Sequence, residues 1–486
     1  MRPPVLVPLV ILSLAACGPK SPEQATDTAD GTSGSTDTTS DSPTTTAPPP
    51  TTAGPTSGST ATTFHPLDIP AEPTTGGEPG CEANGACNRL DLLLVVDNSA
   101  HMADEQKNLV AALPHLVTRL RELVGADGLP VLPDVQVMVT TTDMGHPMCD
   151  PFSKPDYEPA QGAPIATACV DRLERFTALG ANPEMRPDVC IDACPEDQHA
   201  IPADPFVHFD ATNDNVLGEV AGDRVVAALE CVVPQGIDGC GFEATLESML
   251  QALDPNKPWN MAALPFLRPG APLGIIILTD ETDCSPKDLR HFDPQNDDDP
   301  EFNQFWEDKG GIPGNKSEPT SAVCWNASMT CEDADLDGVF ESCVPEEKGV
   351  LQPISRYTDW LLGGLGAVDK PVFMLVITGI PGTGIDDLVH RGWTQADIVP
   401  GDSDTPAEKE FEFGIGPGCT SAATGNALPP GRIRKLCEAL DVADDPNTPA
   451  DESATRCCFE SACAADLSGG LDCLVDALTP ELRAAP

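Results

Sequence analysis

Positive charge is scarce in this 486-residue chain: 27 Lys and Arg stand against 77 Asp and Glu, a formal net charge of −50 at pH 7. Such a chain repels phosphate backbones and anionic head groups, which excludes nucleic acid as a partner. The signed enzyme motifs are missing too. There is no Gly-x-Ser-x-Gly elbow, no phosphate-cradling Gly-x-x-x-x-Gly-Lys loop and no His-Glu-x-x-His helix, so nothing marks an enzyme. No Cys-x2-Cys knuckle or His pair offers a structural zinc site. Aromatic residues make up only 5%. No apolar run is long enough to span a bilayer. What is abundant is glycine (41), proline (51) and cysteine (19), which signals many loops and an oxidising compartment.

Met1 to Ala16 has a single positive charge at Arg2, an apolar run Val5 to Leu14 and then small residues, the pattern of a secretory signal. Its end, Leu14-Ala15-Ala16-Cys17, resembles the bacterial lipobox, which implies that residues 1–17 are a lipoprotein signal and Cys17 the lipidated first mature residue. Gly18 replaces the Asp that retains lipoproteins at the inner membrane in well-studied bacteria, so the expected location is the outer membrane, with only the lipid in the bilayer. From Ser21 to Gly80, 41 of 60 residues are Ser, Thr, Pro or Gly and none is Lys or Arg. Residues 18–80 therefore read as a disordered tether, reaching about 40 to 45 Å as a flexible coil.

Setting Cys17 aside leaves 18 cysteines, an even number that permits nine disulfides in an exported chain. Short-loop candidates are Cys81 with Cys87, Cys190 with Cys194, Cys231 with Cys240, and Cys331 with Cys343. The adjacent Cys457 and Cys458 need separate partners far from each other.

Leu90 to Val96 is a continuous apolar run bracketed by charge, as expected of a strand buried on both faces of a parallel sheet. Leu109, Leu113, Leu116, Leu120 and Leu123 then recur at helical spacing, predicting a helix over Asp104 to Val124 that Pro114 bends or interrupts. Val135 to Thr141, Leu273 to Leu278 and Pro371 to Thr378 are further strand candidates. Helices are expected at Arg224 to Cys231, Phe242 to Leu253, Gly349 to Leu365, Gly431 to Leu440 and Leu471 to Leu478. Apolar strands alternating with helices predict an α/β fold, a doubly wound, mostly parallel sheet with helices on both faces, over residues 81–486. Ligands of such sheets sit at the carboxyl ends of strands, where the acidic loops at Asp97 and Asp280 fall.

Leu94-Val95-Val96-Asp97-Asn98-Ser99-Ala100-His101-Met102 resembles the first strand and metal-site loop, Asp-x-Ser-x-Ser, of von Willebrand factor type A domains. Ile276-Ile277-Leu278-Thr279-Asp280 resembles the family's later strand with its metal-site aspartate. Gly239-Cys240-Gly241-Phe242-Glu243 precedes a helix where the family carries a metal-site threonine. With the late Gly416-Pro417-Gly418-Cys419, the chain is similar to lipobox-bearing type A proteins of large-genomed Gram-negative bacteria, myxobacteria in particular. The resemblance implies adhesion or assembly with an unidentified protein ligand, through a divalent cation, Mg²⁺ or Mn²⁺, able to accept a partner's carboxylate. It also implies long insertions near 284–345 and 379–430.

Asp97, Ser99 and Asp280 match the implied metal positions. His101 stands where a serine is expected, and imidazole suits manganese, zinc or nickel better than magnesium. The middle-loop threonine is missing; Glu243, Thr245 or neither stands in for it, and Glu243 would weaken the ion's appetite for a partner's carboxylate. Three readings of the site follow: a working divalent-metal site with altered ligands, a degenerate site keeping only the fold, and an unrelated catalytic role; the competing functions are a metal-dependent hydrolase or enzyme subunit whose cation activates water, and a purely structural envelope component. Carboxylates at strand ends also cap helices, a bland alternative for Asp97 and Asp280. Separately, Asp333, Asp335 and Asp337 alternate before Gly338 as in a calcium loop, but the twelfth position is Val344, and Cys331 and Cys343 can close the loop as a disulfide. The acidic run Asp293 to Glu301 reads as a solvated loop.

Overall fold

The computed structural model describes residues 88–482, except 126–127, 132, 148, 150–153, 155–156, 180–182, 196–199, 293–319, 366–369 and 444–452. The signal, Cys17, the tether, Cys81, Cys87 and Asp293 to Glu301 lie outside the described residues. No helix among those described is long and apolar enough to cross a membrane.

The body is an α/β structure built on one six-stranded sheet. Its strands are β1 (Arg89–Val96), β2 (Asp134–Thr141), β3 (Val207–Phe209), β4 (Leu273–Leu278), β5 (Val372–Thr378) and β6 (Cys457–Ser461). In space they run β6-β5-β4-β1-β2-β3. All neighbours are parallel except β3, which lies antiparallel to β2 at one edge. The register aligns Val96 with Thr141 on one side and with Leu278 on the other, so β1, β2 and β4 end at a common level.

Burial of both faces explains the apolar runs. Leu90, Leu92, Leu94 and Val96 share one core with α1 (Ala103–Arg121), α2 (Arg224–Val232) and α8 (Ser468–Leu478). Leu93 and Val95, fully buried, alternate to the opposite face, where α3 (Thr245–Ala252) touches β1 and β2. α7 (Gly431–Glu438) packs on β5 and on α5 (Ile354–Thr358), while α4 (Ala322–Ser328) packs on α6 (Pro406–Phe413). Each fully buried leucine contributes about 1.5–3 kcal/mol, so this two-sided core dominates the fold's stability.

α1 passes through Pro114 without interruption, with Asp104 and Glu105 in its first turn and Arg119 and Arg121 in its last, complementing its dipole. The expected helix over Phe242 to Leu253 begins only at Thr245, because the preceding loop is drawn into contacts at the strand ends. Gly349 to Leu365 divides into α5 and a wider π-helical stretch, Asp359–Leu365.

Among the described cysteines, Cys331–Cys343 forms as expected. Two short-loop expectations fail: Cys190 pairs with Cys169, Cys194 with Cys231, and Cys240 with Cys149. Short separation was the wrong criterion, since packing carries distant cysteines together, as it does Cys284–Cys324 and Cys419–Cys463. Cys457 and Cys458 point to opposite faces of β6 and so reach Cys437 and Cys473 respectively.

Candidate metal centre

Four loops meet at the carboxyl ends of the central strands. Backbone bonds tie them: Asp97 N–H donates to Leu278 O (2.9 Å), Thr142 N–H to Val96 O (3.3 Å), Gly239 N–H to Asn98 O (2.8 Å) and Cys284 N–H to Glu243 O (2.6 Å). The buried Gln106 amide stitches the first loop of α1 to the middle loop, donating to Asp97 O (2.8 Å) and Gly236 O (2.7 Å) and accepting from Gln235 N–H (2.8 Å).

Within this frame the fold brings together Asp97, Ser99, Glu243 and Asp280. Asp97 is fully buried; its Oδ1 accepts from Ser99 N–H (2.8 Å) and its Oδ2 from the Thr279 hydroxyl (2.6 Å). Two acids that sequence reasoning did not single out join them, Glu105 from α1 and Glu281 beside Asp280; both are buried. Glu105 carries a legible signal: Met102, Glu105, Leu109, Leu113 and Leu116 fall on one stripe of α1, so a charge sits where apolar residues face the core.

These acids have oxygens that nothing satisfies. Both carboxylate oxygens of Glu243, Asp280 Oδ1, Glu105 Oε2 and the hydroxyls of Ser99, Thr142 and Thr245 are buried without a hydrogen-bond partner. Glu243 lies within reach of Asp97 and of the Thr142 hydroxyl, though neither of its oxygens attains hydrogen-bond geometry. Burial pushes all five carboxyls above their ordinary range, and mutual repulsion adds to it: Asp97 raises Glu243 and Asp280, and Asp280 raises Glu105 and Glu281. In Asp97 the bonds from Thr279 and Ser99 oppose the effect of burial without cancelling it.

Several other buried acids among the described residues are matched by cations. Asp283 takes Arg432 Nε at 2.8 Å, Glu247 takes Arg356 at 2.9 Å, and Asp238 takes Lys154 at 3.1 Å. No described Lys, Arg or His forms an ion pair with Asp97, Glu105, Glu243, Asp280 or Glu281. Buried charge without a partner is strongly unfavourable. The donor set is all oxygen, carboxylate and hydroxyl, of the kind a hard divalent cation takes, but no three of these carboxylates place oxygens within 4.8 Å of one another.

His101 does not join this set: it is exposed on the turn before α1. An imidazole among the ligands, and with it the preference for softer metals, is therefore not part of the arrangement. His146, unnoticed in the sequence, is buried against Phe242, their rings stacked at 4.2 Å, and burial draws its pKa down to about 3.

Segments from both later stretches lie over the site. The Ser321 hydroxyl donates to Gly241 O (3.3 Å), and Cys284–Cys324 fastens α4 to the loop after β4. Leu428 N–H donates to Asp280 O (2.7 Å). Gly379, just past β5, makes room for this: a Cβ there would stand 2.2 Å from the carbonyl oxygens of Ala427 and Leu428. Gly379→Ala is thus expected to lower stability by about 1–3 kcal/mol, the range for overpacking, as read by thermal or urea unfolding. An unchanged midpoint would mean this contact is loose.

A second acidic group is exposed on the hairpin closed by Cys331–Cys343. Oxygens of Asp333, Asp335 and Glu341 lie within 4.8 Å of one another, the one such trio of acidic, His or Cys side chains among the described residues. Asp337 is not in it, because its Oδ1 turns to accept Val339 N–H (2.8 Å); Glu341 takes the third place. The trio could hold a metal ion of unspecified identity.

No protein-family model, no curated protein and no solved structure matches this chain.

Proposed function

We propose that the chain is a lipid-anchored protein of the outer membrane whose doubly wound body, of the von Willebrand type A kind, holds a divalent cation and works by recognising another protein. The sheet order supports the fold reading: from β1 the strands proceed outward in both directions, the order of the doubly wound sheets, with the switch point between β1 and β4. Asp97 and Asp280 flank that point.

The observation that carries the cation is the set of buried oxygens on Ser99, Glu243 and Asp280 that lack any partner, beside an Asp97 already oriented by Thr279. Asp97, Ser99, Glu243 and Asp280 would hold the ion, with Mg²⁺ or Mn²⁺ favoured by the oxygen donors. Bound there, it supplies positive charge to acids that have none. Recognition as the task rests on the resemblance of the two strand-end motifs and on the lack of any signed catalytic motif; fold analogy alone would leave many functions open.

Calorimetric titration of the full-length protein in detergent with Mg²⁺, Mn²⁺ and Ca²⁺ tests this. Saturable binding is expected, reduced at least tenfold in affinity by Asp280→Ala. Absence of binding by all three ions would make the site a relic.

A further inference from the structure

We propose that the amino edge of the sheet rests on a zwitterionic lipid surface, with Met261 and Leu264 entering the boundary between head groups and acyl chains. The inference rests on the lipid-anchor part of the reading above and on nothing in the acid cluster; it adds which face of the body the bilayer meets.

The first observation is an apolar run without a cover. β4 is entered through residues 254–272, and in that connection Met261, Ala262, Ala263 and Leu264 are exposed in succession, Met261 at 65% and Leu264 at 63%. Apolar side chains exposed singly are ordinary, whereas a contiguous run of them is a candidate contact surface. This run is held firmly. Trp259 Nε1 donates to Ala252 O (2.8 Å), the Asn260 amide donates to Ala252 O (3.0 Å) and Asp254 O (2.9 Å), and Phe266 N–H donates to Trp259 O (3.1 Å), with the Phe266 ring buried beneath. The polar groups of the turn are satisfied inward, so its apolar side chains are what it presents outward.

The second is location. Arg268, near the end of this connection, bonds Asp91 of β1 at 2.7 Å and Asp134 of β2 at 2.6 Å, which sets the run at the amino edge of the sheet. The turn before β2 lies at the same edge and exposes Val124 (52%) and Leu129 (56%). The chain enters β1 beside it, where Asp134 N–H donates to Asn88 O (2.7 Å). A body anchored at Cys17 is therefore held through the very edge that carries the apolar residues, and its carboxyl edge is left for a protein partner.

The third is charge. Residues 255–272 contain no Asp or Glu and two cations, Lys257 and Arg268, in a chain of net charge −50. An acidic surface is repelled by lipid phosphates, and this stretch is not. The half-buried Lys257 and Trp259 flank the run. An indole settles at head-group level, and a lysine lays its stem along apolar surface while its ammonium stays among the phosphates. A second copy is disfavoured as the cover, because two such acidic chains repel each other.

Photolabelling decides the matter. The full-length protein is reconstituted in phosphatidylcholine vesicles whose acyl chains carry a carbene-generating group near the head, and labelled peptides are mapped by mass spectrometry. Label is expected on the peptide containing residues 261–264 as well as on the lipidated amino-terminal one. In Met261→Asp/Leu264→Asp the first signal is expected to fall severalfold while the second is unchanged. Label confined to the amino-terminal peptide would show a body that hangs clear of the bilayer, overturning the inference and leaving the anchor intact. A protein that the vesicles do not retain and that takes no label would overturn both. Concentration-dependent dimerisation of the Cys17→Ala chain, abolished by Met261→Asp/Leu264→Asp, would identify a second copy as the cover and overturn the inference. The wild-type map is decisive even if the double variant does not fold.

Discussion

Replacing Asp91 by asparagine lowers the free energy of unfolding by about 3–5 kcal/mol, the loss typical when one member of a buried ion network is removed. Asp91 is fully buried at the amino end of β1, where Oδ1 accepts Arg268 Nε at 2.7 Å and Oδ2 accepts both Arg268 N–H at 2.9 Å and Lys370 Nζ at 2.5 Å. Arg268 and Lys370 are themselves buried, and Arg268 also reaches Asp134 at 2.6 Å. Burial pulls the Lys370 ammonium down from its ordinary value, and Asp91 counters that. Without the Asp91 charge, two cations stay in the core with one acid between them. Asp472→Asn provides the comparison: Asp472 bonds Arg119 at 2.6 Å and His115 at 2.9 Å, but at a surface 31–41% exposed, so its loss costs only about 0–1 kcal/mol. Equal losses for the two variants in urea unfolding would contradict the network's role.

The second large effect joins pH to the cation. In EDTA, stability is expected to fall as pH rises from about 5 to about 8. Unfolded, these aspartates and glutamates ionise near 3.8 and 4.5; folded, Asp97, Glu105, Glu243, Asp280 and Glu281 hold their protons to higher pH. Above about 4.5 the folded state therefore binds more protons than the unfolded, and stability declines with pH by about 1.4 kcal/mol per unit for each such group until its folded carboxyl ionises. Asp134, lowered to about 2 chiefly by its His208 and Arg268 partners against the effect of burial, works the other way. Its contribution is lost only as pH drops below about 4, outside this window. A divalent cation at a hundredfold excess over its Kd restores about 2.7 kcal/mol and flattens the profile. Thermal unfolding scanned over pH with EDTA and with Mg²⁺ reads both effects; coincident profiles would remove the cation from the fold's energetics.

The strands that could be read from residues alone were those buried on both faces. β1, β4 and β5 appear as unbroken apolar runs because no side of them meets water. β3, three residues with His208 at its centre, carries too little pattern. β6, Cys457-Cys458-Phe459-Glu460-Ser461, hides in its cysteines and acid, which belong to disulfides and to the first turn of α8. Of the residues proposed for the site, Asp97, Ser99, Glu243 and Asp280 stand out in the sequence by their loop positions after apolar runs. Glu105 was not, because an acid in a first helical turn ordinarily reads as a solvated partner of the dipole. Only its place on the apolar stripe of α1 betrays it. His101 misled for the converse reason: spacing within a loop does not say which way a side chain turns once the backbone enters a helix. The disulfide pattern was the least legible feature, since it depends on which loops the sheet brings together.

The chain enters β1 at Arg89, at the amino edge of the sheet, while the acid cluster lies at the opposite edge. A pull exerted between the residues before Arg89 and anything grasping the far loops is carried lengthwise through a central strand paired on both sides, to β2 and β4. The ladders then resist in shear, many links strained at once, rather than opening one by one like a zipper.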